Sequence, residues 1–144
     1  LLTGKYRELE SFPEGRKRTR HFANHWPGIR HSEAGMEAET AGALAGVYRV
    51  SERFQRPVLD LALGFVSSRS FIDVMLLGAR TEEQLARSLE AAETTLSDEE
   101  MDALENATEQ LREATGGNPD MYMTESRVRF PDHQGRPVRR VSQA

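Results

Sequence analysis

Apolar positions along the chain fall into a few short, well-separated groups, and their spacing predicts helices with one exception. Residues 3 to 34 carry Gly4, Pro13, Gly15, Pro27 and Gly28 with no sustained periodicity, which reads as a long loop. From Gly35 the pattern turns helical, with Leu44, Val47, Tyr48 and Phe54 at helical spacing among Ala, Glu and Arg, and this helix should end near Gln55. Pro57 suits the first turn of a second helix, in which Leu59, Leu61, Ala62, Leu63, Phe65 and Val66 are so densely apolar that burial is expected. A helix over about 82 to 92 should bury Leu85 and Leu89. A last one, opened by the capping box Ser97-Asp98-Glu99-Glu100, carries Met101, Leu104, Ala107, Thr108 and Leu111 on one face and stops at Gly116-Gly117. The exception is residues 71 to 77, where Val74-Met75-Leu76-Leu77 is a short apolar run, β-branched at one end, of the kind found in strands covered on both faces. The order is loop, helix, helix, strand, helix, helix, tail. One strand cannot make a sheet.

The richest chemistry follows that strand. Gly78 would let a ligand approach the backbone closely, Arg80 supplies a fixed cation, and Thr81-Glu82-Glu83-Gln84 is a second capping box that begins a helix. Free backbone N–H groups and the helix dipole favour an anion at such a start, and an arginine adds a two-pronged donor for phosphate. The plainer alternative is a solvated Arg80 beside a cap that only prevents fraying.

Composition narrows the function classes. The chain has 144 residues, 38% hydrophobic, enough for one domain with a core. With 19 Lys and Arg against 23 Asp and Glu, the formal charge of −4 gives no global field for nucleic acid or anionic lipid. Cysteine is absent, which excludes disulfide scaffolds and cysteine-based metal or redox sites and fits a reducing compartment. No apolar run approaches a membrane span, and Leu1-Leu2-Thr3-Gly4-Lys5 lacks the layout of a secretory signal, so a cytoplasmic protein is expected. His21, His25 and His31 lack completing carboxylates, and no metal site is assigned to them. The basic run Arg16 to Arg20 reads either as solvated or as a clasp for phosphate.

Four segments, in this order and spacing, resemble the C-terminal part of the aldo-keto reductases: LLTGKY at Leu1 to Tyr6, PEGRKR at Pro13 to Arg18, PVLDLALGFVSSR at Pro57 to Arg69, and DVMLLGARTEEQLARSLEAAE at Asp73 to Glu93. The resemblance implies an α/β fold, the C-terminal portion of a TIM (β/α)8 barrel. The chain would be mostly helical with one clear strand, residues 71 to 77 being the eighth barrel strand and Leu1-Leu2 following the seventh. It implies that residues 1 to 115 belong to the barrel, with 116 to 144 a C-terminal loop and tail, whose Pro131, Gly135, Pro137 and arginines outside any apolar pattern read as disordered toward the end. NADPH is the implied cofactor and an aldehyde or ketone the implied substrate. Lys5 and Lys17 would lie toward the cofactor pyrophosphate, and Gly78, Arg80, Gln84 and Ser88 toward the 2′-phosphate and adenosine. Phosphate sites after the last two strands are usual in such barrels.

The sequence departs from the family where Ala86, Arg87 and Ser88 stand in place of Glu-Glu-Asn. Arg87 could add a second cation there, and Ser88 a weaker hydrogen bond. The family's catalytic Asp, Tyr, Lys and His belong to the first half of the barrel, and Tyr6, Tyr48 and Tyr122 match none of that context, so no catalytic residue is assigned. A complete barrel needs about 250 residues, so the expectation is a fragment that supplies a cofactor site, with a homo-oligomer left open. The rival expectation is a non-catalytic helical module that binds a partner.

Overall fold

The computed structural model describes residues 2–118, 120–124, 130–131 and 137–138. Four helices dominate: α1 (Glu37–Phe54), α2 (Val58–Ser67), α3 (Glu82–Ala92) and α4 (Asp98–Thr115). A single 3-10 turn, Glu14–Arg16, interrupts the long N-terminal loop, and two two-residue strands, β1 (Phe130–Pro131) and β2 (Pro137–Val138), pair antiparallel with Phe130 opposite Val138.

The helix boundaries follow from local chemistry. Gln55 closes α1 in the left-handed region at φ 52°, ψ 38°, and the restricted backbone of Pro57 makes it the N-cap of α2. At α4 the capping box forms in full: the Ser97 hydroxyl accepts from the Glu100 N–H, and the Glu100 carboxylate accepts from the Ser97 N–H at 2.8 Å. At α3 it forms by half. Thr81 accepts from the Gln84 N–H at 3.2 Å, but the Gln84 side chain accepts from the Arg80 N–H at 3.1 Å, one residue before the expected donor.

Packing is centred on the pair α1 and α4. Val47 and Val50 from α1, Val58 and Leu61 from α2, Leu104 from α4 and Leu96 from the α3–α4 link form the buried core, with Tyr48, Phe54, Phe65 and Met101 packed around it. The two long helices come close because Gly46 has no side chain; a Cβ there would lie 2.9 Å from that of Ala107. Gly64 does the same for α2, where a Cβ would lie 2.8 Å from the Thr94 carbonyl. At the other end of α4, the buried Arg20 donates to the carbonyls of Thr115 (2.9 Å) and Asn118 (3.1 Å) and pairs with Glu33 at 2.6 Å. A cation on the last carbonyls of a helix satisfies both its free acceptors and its dipole. The N-terminal loop is thus irregular but packed, with Leu9, Phe22 and Met36 buried. His31 is also buried, with neither ring nitrogen hydrogen-bonded to the protein.

Two expectations are corrected. Residues 71 to 77 form no strand: no ladder hydrogen bond reaches them among the described residues, and Val74 and Leu76 are 74% and 92% exposed. A strand takes its hydrogen bonds from neighbouring strands, and none lies beside this segment. Leu85 and Leu89 are not a buried stripe either, being 43% and 53% exposed; the face of α3 that meets α2 carries the fully buried Ala91 instead. On both sides of Gly78, therefore, large apolar side chains are left partly or largely exposed. The disordered tail expected toward residue 144 falls mainly outside the described residues. Residues 120–124 are held, with Asn118 donating to the Met123 carbonyl at 2.9 Å and the Ser32 N–H donating to the Thr124 hydroxyl at 2.8 Å.

Glu100 links cap and core. Burial on its own would raise the carboxyl pKa, but the hydrogen bonds from Ser97 and the charge of Arg56, its ion-pair partner, outweigh burial and hold it below the ordinary value. Because the folded carboxyl gives up its proton more readily than the unfolded one, its contribution is fully present above the ordinary carboxylate pKa. That contribution is lost as pH falls through the lowered folded value. Glu100→Gln should cost about 1–3 kcal/mol in urea melts near neutral pH, and the deficit should narrow in acid. A deficit independent of pH would mean that the charge of Glu100 contributes nothing. A second expectation concerns the exposed segment: Val74→Lys with Leu76→Lys should lower dye binding and self-association without loss of helical circular dichroism. A collapse of the helical signal would place these side chains in the core after all.

Candidate functional site

The turn from Gly78 to Gln84 is where the sequence places its clearest anion chemistry. Thr81 is extended at φ −133°, ψ 156°, and its hydroxyl caps α3, so the chain changes direction at one residue. The Gln84 amide folds back onto the Arg80 N–H, which closes the turn from the other side. Arg80 is exposed, and its guanidinium makes no ion pair among the described residues. By contrast Arg20, Arg53, Arg56, Arg69 and Arg87 all pair with carboxylates. Glu82 and Glu83 sit in the first turn of α3 and already complement its dipole. Arg80, more than the bare helix start, therefore supplies the attraction for an anion.

Gly78 has room rather than strain. Its φ lies outside the left-handed region, and a side chain built there would meet no atom within 4 Å. Nothing in the protein's own packing requires glycine at this position. A requirement would have to come from something that approaches the backbone from outside.

The remaining predicted residues are more scattered. Lys5 is exposed, with its Nζ 5.5 Å from the centre of the Tyr6 ring. Lys17 is buried, its Nζ 4.0 Å from the centre of the Trp26 ring. That contact is a cation–π pair, which explains why Lys17 is withdrawn from solvent while its neighbours Arg16 and Arg18 stay exposed. No hydrogen bond, ion pair or ring contact of Lys5 or Lys17 reaches the segment from Gly78 to Ser88. Ser88 is half-buried on α3. The structure thus brings Gly78, Arg80 and Gln84 into one turn, places Ser88 one helical turn further on, and keeps Lys5 and Lys17 in the N-terminal loop.

Arg87 behaves differently from its sequence reading as a second free cation. Its guanidinium is paired with Asp60 of α2 and, at 3.4 Å, with Glu90 of its own helix. Asp60 was not singled out by sequence, although it is the only charged residue of the otherwise apolar VLDLALGFVS, a signal that it should have a partner.

Other features carry less. The Tyr48 hydroxyl donates to the Tyr6 carbonyl at 3.3 Å, a tie between α1 and the N-terminal loop. His21 is held below the ordinary imidazole pKa chiefly by burial, with nearby positive charge, that of Arg20 included, adding to it, and its Nδ1 lies 3.0 Å from the Thr19 hydroxyl. Among the described residues no three His, Asp or Glu side chains are grouped to hold a metal ion, and no helix is long and apolar enough to cross a membrane. A cleft of about 550 Å³ is lined by Ser67, Ser68, Thr94, Thr95, Asp98 and neighbours, and it includes none of the predicted site residues.

No match was found among curated proteins or among solved structures. The order of motifs that pointed to a barrel enzyme is nonetheless recognised by one family model, that of the aldo/keto reductase family, which matches residues 1–109; the chain belongs to that family.

Proposed function

We propose that this chain supplies the cofactor phosphate and adenosine site of an NADPH-dependent aldo-keto reductase, an oxidoreductase that reduces aldehydes or ketones to alcohols. The observation that carries this reading is the exposed, unpaired Arg80 guanidinium at the capped start of α3, inside the segment matched by the family model. The residues fit a phosphate ester: a free guanidinium offers two parallel donors, the Gly78 backbone is open to approach, and no packed side chain has to move. When bound, the nicotinamide supplies the hydride. The chain's own residues bind and orient it. Arg80 takes the 2′-phosphate, Gln84 holds the turn through the Arg80 N–H, and Gly78 and Ser88 border the adenosine.

Lys5 favours the pyrophosphate from the exposed side of the loop. Lys17 joins it only when its contact with Trp26 opens. In this reading residues 1 to 115 are the barrel portion, followed by a C-terminal loop, and residues 71 to 77, which form no strand here, occupy the place in the family's order where a barrel strand would fall. The exposed Phe71, Val74, Leu76, Leu85 and Leu89 support that assignment, since they are the side chains that neighbouring strands of a barrel would cover. The same exposed surface is what favours the second reading, a non-catalytic module that binds a partner. In either case no proton donor is assigned within the chain; the Tyr48 hydroxyl ties α1 to the Tyr6 carbonyl.

Two measurements test this. A charge-assisted hydrogen bond contributes about 1.5–3 kcal/mol, so Arg80→Ala should weaken binding of 2′,5′-ADP or NADPH by about tenfold or more. NADH and 5′-ADP lack the 2′-phosphate and should change little in the same titration calorimetry. Equal losses for both groups of ligands would mean that Arg80 does not read that phosphate. The 144-residue chain by itself should also reduce no carbonyl compound with NADPH. Steady turnover, abolished by a substitution within the chain, would put the proton donor here and overturn the division of labour.

A further inference from the structure

The helix that carries the candidate site is held in an unusual way. An amphipathic helix normally takes its rotation about its own axis from its large apolar side chains, which seek the core. In α3 those side chains, Leu85 and Leu89, are 43% and 53% exposed, so they fix the rotation only in part. At its C-terminal end the helix is fixed by the fully buried Ala91 and by the close approach of the following Thr94 carbonyl to Gly64 of α2. At the middle of the helix, one turn before Ala91, the pair between Arg87 and Asp60 is, among the described residues, the one side-chain hydrogen bond or ion pair that joins α3 to another element.

Arg87 shares a face with Ala91 at i, i+4 and with Gln84 at i, i+3. Gln84 in turn holds the Arg80 N–H. Any rotation of α3 allowed by loss of the Asp60 contact would therefore swing Gln84, and with it the Arg80 turn.

Resting on the cofactor-site reading above, we propose that Arg87 is a positioning residue for that site: paired with Asp60, it fixes the rotation of α3 and so the direction in which the Arg80–Gln84 turn presents its cation. It is not itself a cofactor contact. Its fork is occupied by Asp60 and Glu90, and the anion-facing task is left to Arg80. Asp60 has the same role from α2, at a position where the ligand is not touched.

The test is binding of 2′,5′-ADP to the full chain, by calorimetry, for a set of variants. Arg87→Ala and Asp60→Asn should each weaken binding by about two- to fivefold, the range set by a partly exposed ion pair. The double variant should lose no more than either single one, because both remove the same constraint. Exchange of the pair, Asp60→Lys with Arg87→Glu, should restore most of the affinity. Arg87→Lys, which keeps the charge and perturbs folding least, should stay near the unmodified chain. A residue that merely stabilises the fold would lower the melting temperature in these variants while ligand affinity of the folded chain stayed constant, and that outcome overturns the proposal. So does a loss with Arg87→Ala that Asp60→Asn does not reproduce, which would make Arg87 a direct ligand contact. Arg80→Ala separates the two levels. If it leaves 2′,5′-ADP binding unchanged, the cofactor-site reading itself fails; if it weakens binding and the Arg87 and Asp60 variants do not, only the positioning role fails.

Discussion

The close seam between α1 and α4 is the constraint on which the rest of the structure depends. It exists because Gly46 lets the backbone of α1 approach Ala107, so two helices of eighteen residues lie near enough for Val47, Val50 and Leu104 to share one core. Both ends of α4 are then secured by charge. At its start Ser97 and Glu100 satisfy the free N–H groups, and Glu100 reaches across to Arg56 in the link between α1 and α2. At its end Arg20 satisfies the free carbonyls and draws the N-terminal loop against the helix. A loop without periodicity acquires a defined path by this means, since a buried guanidinium must find acceptors wherever the chain can provide them.

The other half of the molecule is held by weaker means. Helices α2 and α3 are joined by one ion pair, and the segment between them leaves Phe71, Val74 and Leu76 largely exposed. Among the described residues no strand lies beside it to take up its backbone hydrogen bonds.

That asymmetry bears on the candidate site. Arg80 and its turn stand at the edge of the well-packed half, on a helix whose large apolar residues orient it only in part. Local hydrogen bonds from Thr81 and Gln84 shape the turn, and the Asp60 contact orients the helix behind it. A site built on local capping keeps its shape even where the surrounding packing is incomplete, because its bonds span no more than four residues. Lys17 shows the opposite case. It belongs to a loop whose course is set by Arg20 and Trp26, and its amine is occupied within the protein.

What the sequence by itself determined was everything controlled by neighbours within a few residues. Five of the eight helix ends fall where Gln55, Pro57, Thr81, Ser97 and Gly116 place them, because caps and backbone preferences act over one turn. The motif order sufficed for the family, and the turn from Gly78 to Gln84 was legible for the same local reason. Tertiary structure decided what depends on distant partners. Whether residues 71 to 77 become a strand depends on a ladder that must come from elsewhere. Whether Leu85 and Leu89 are buried depends on which face of α3 another element covers, and α2 covers the face of Ala91. Which arginines remain free was equally beyond sequence: Arg20 and Arg87 look as available as Arg80 until Glu33, Thr115 and Asp60 are brought within reach by the fold. Periodicity and capping are properties of a segment, whereas burial and ion pairing are properties of a pair of segments, and only the packed chain specifies the pair.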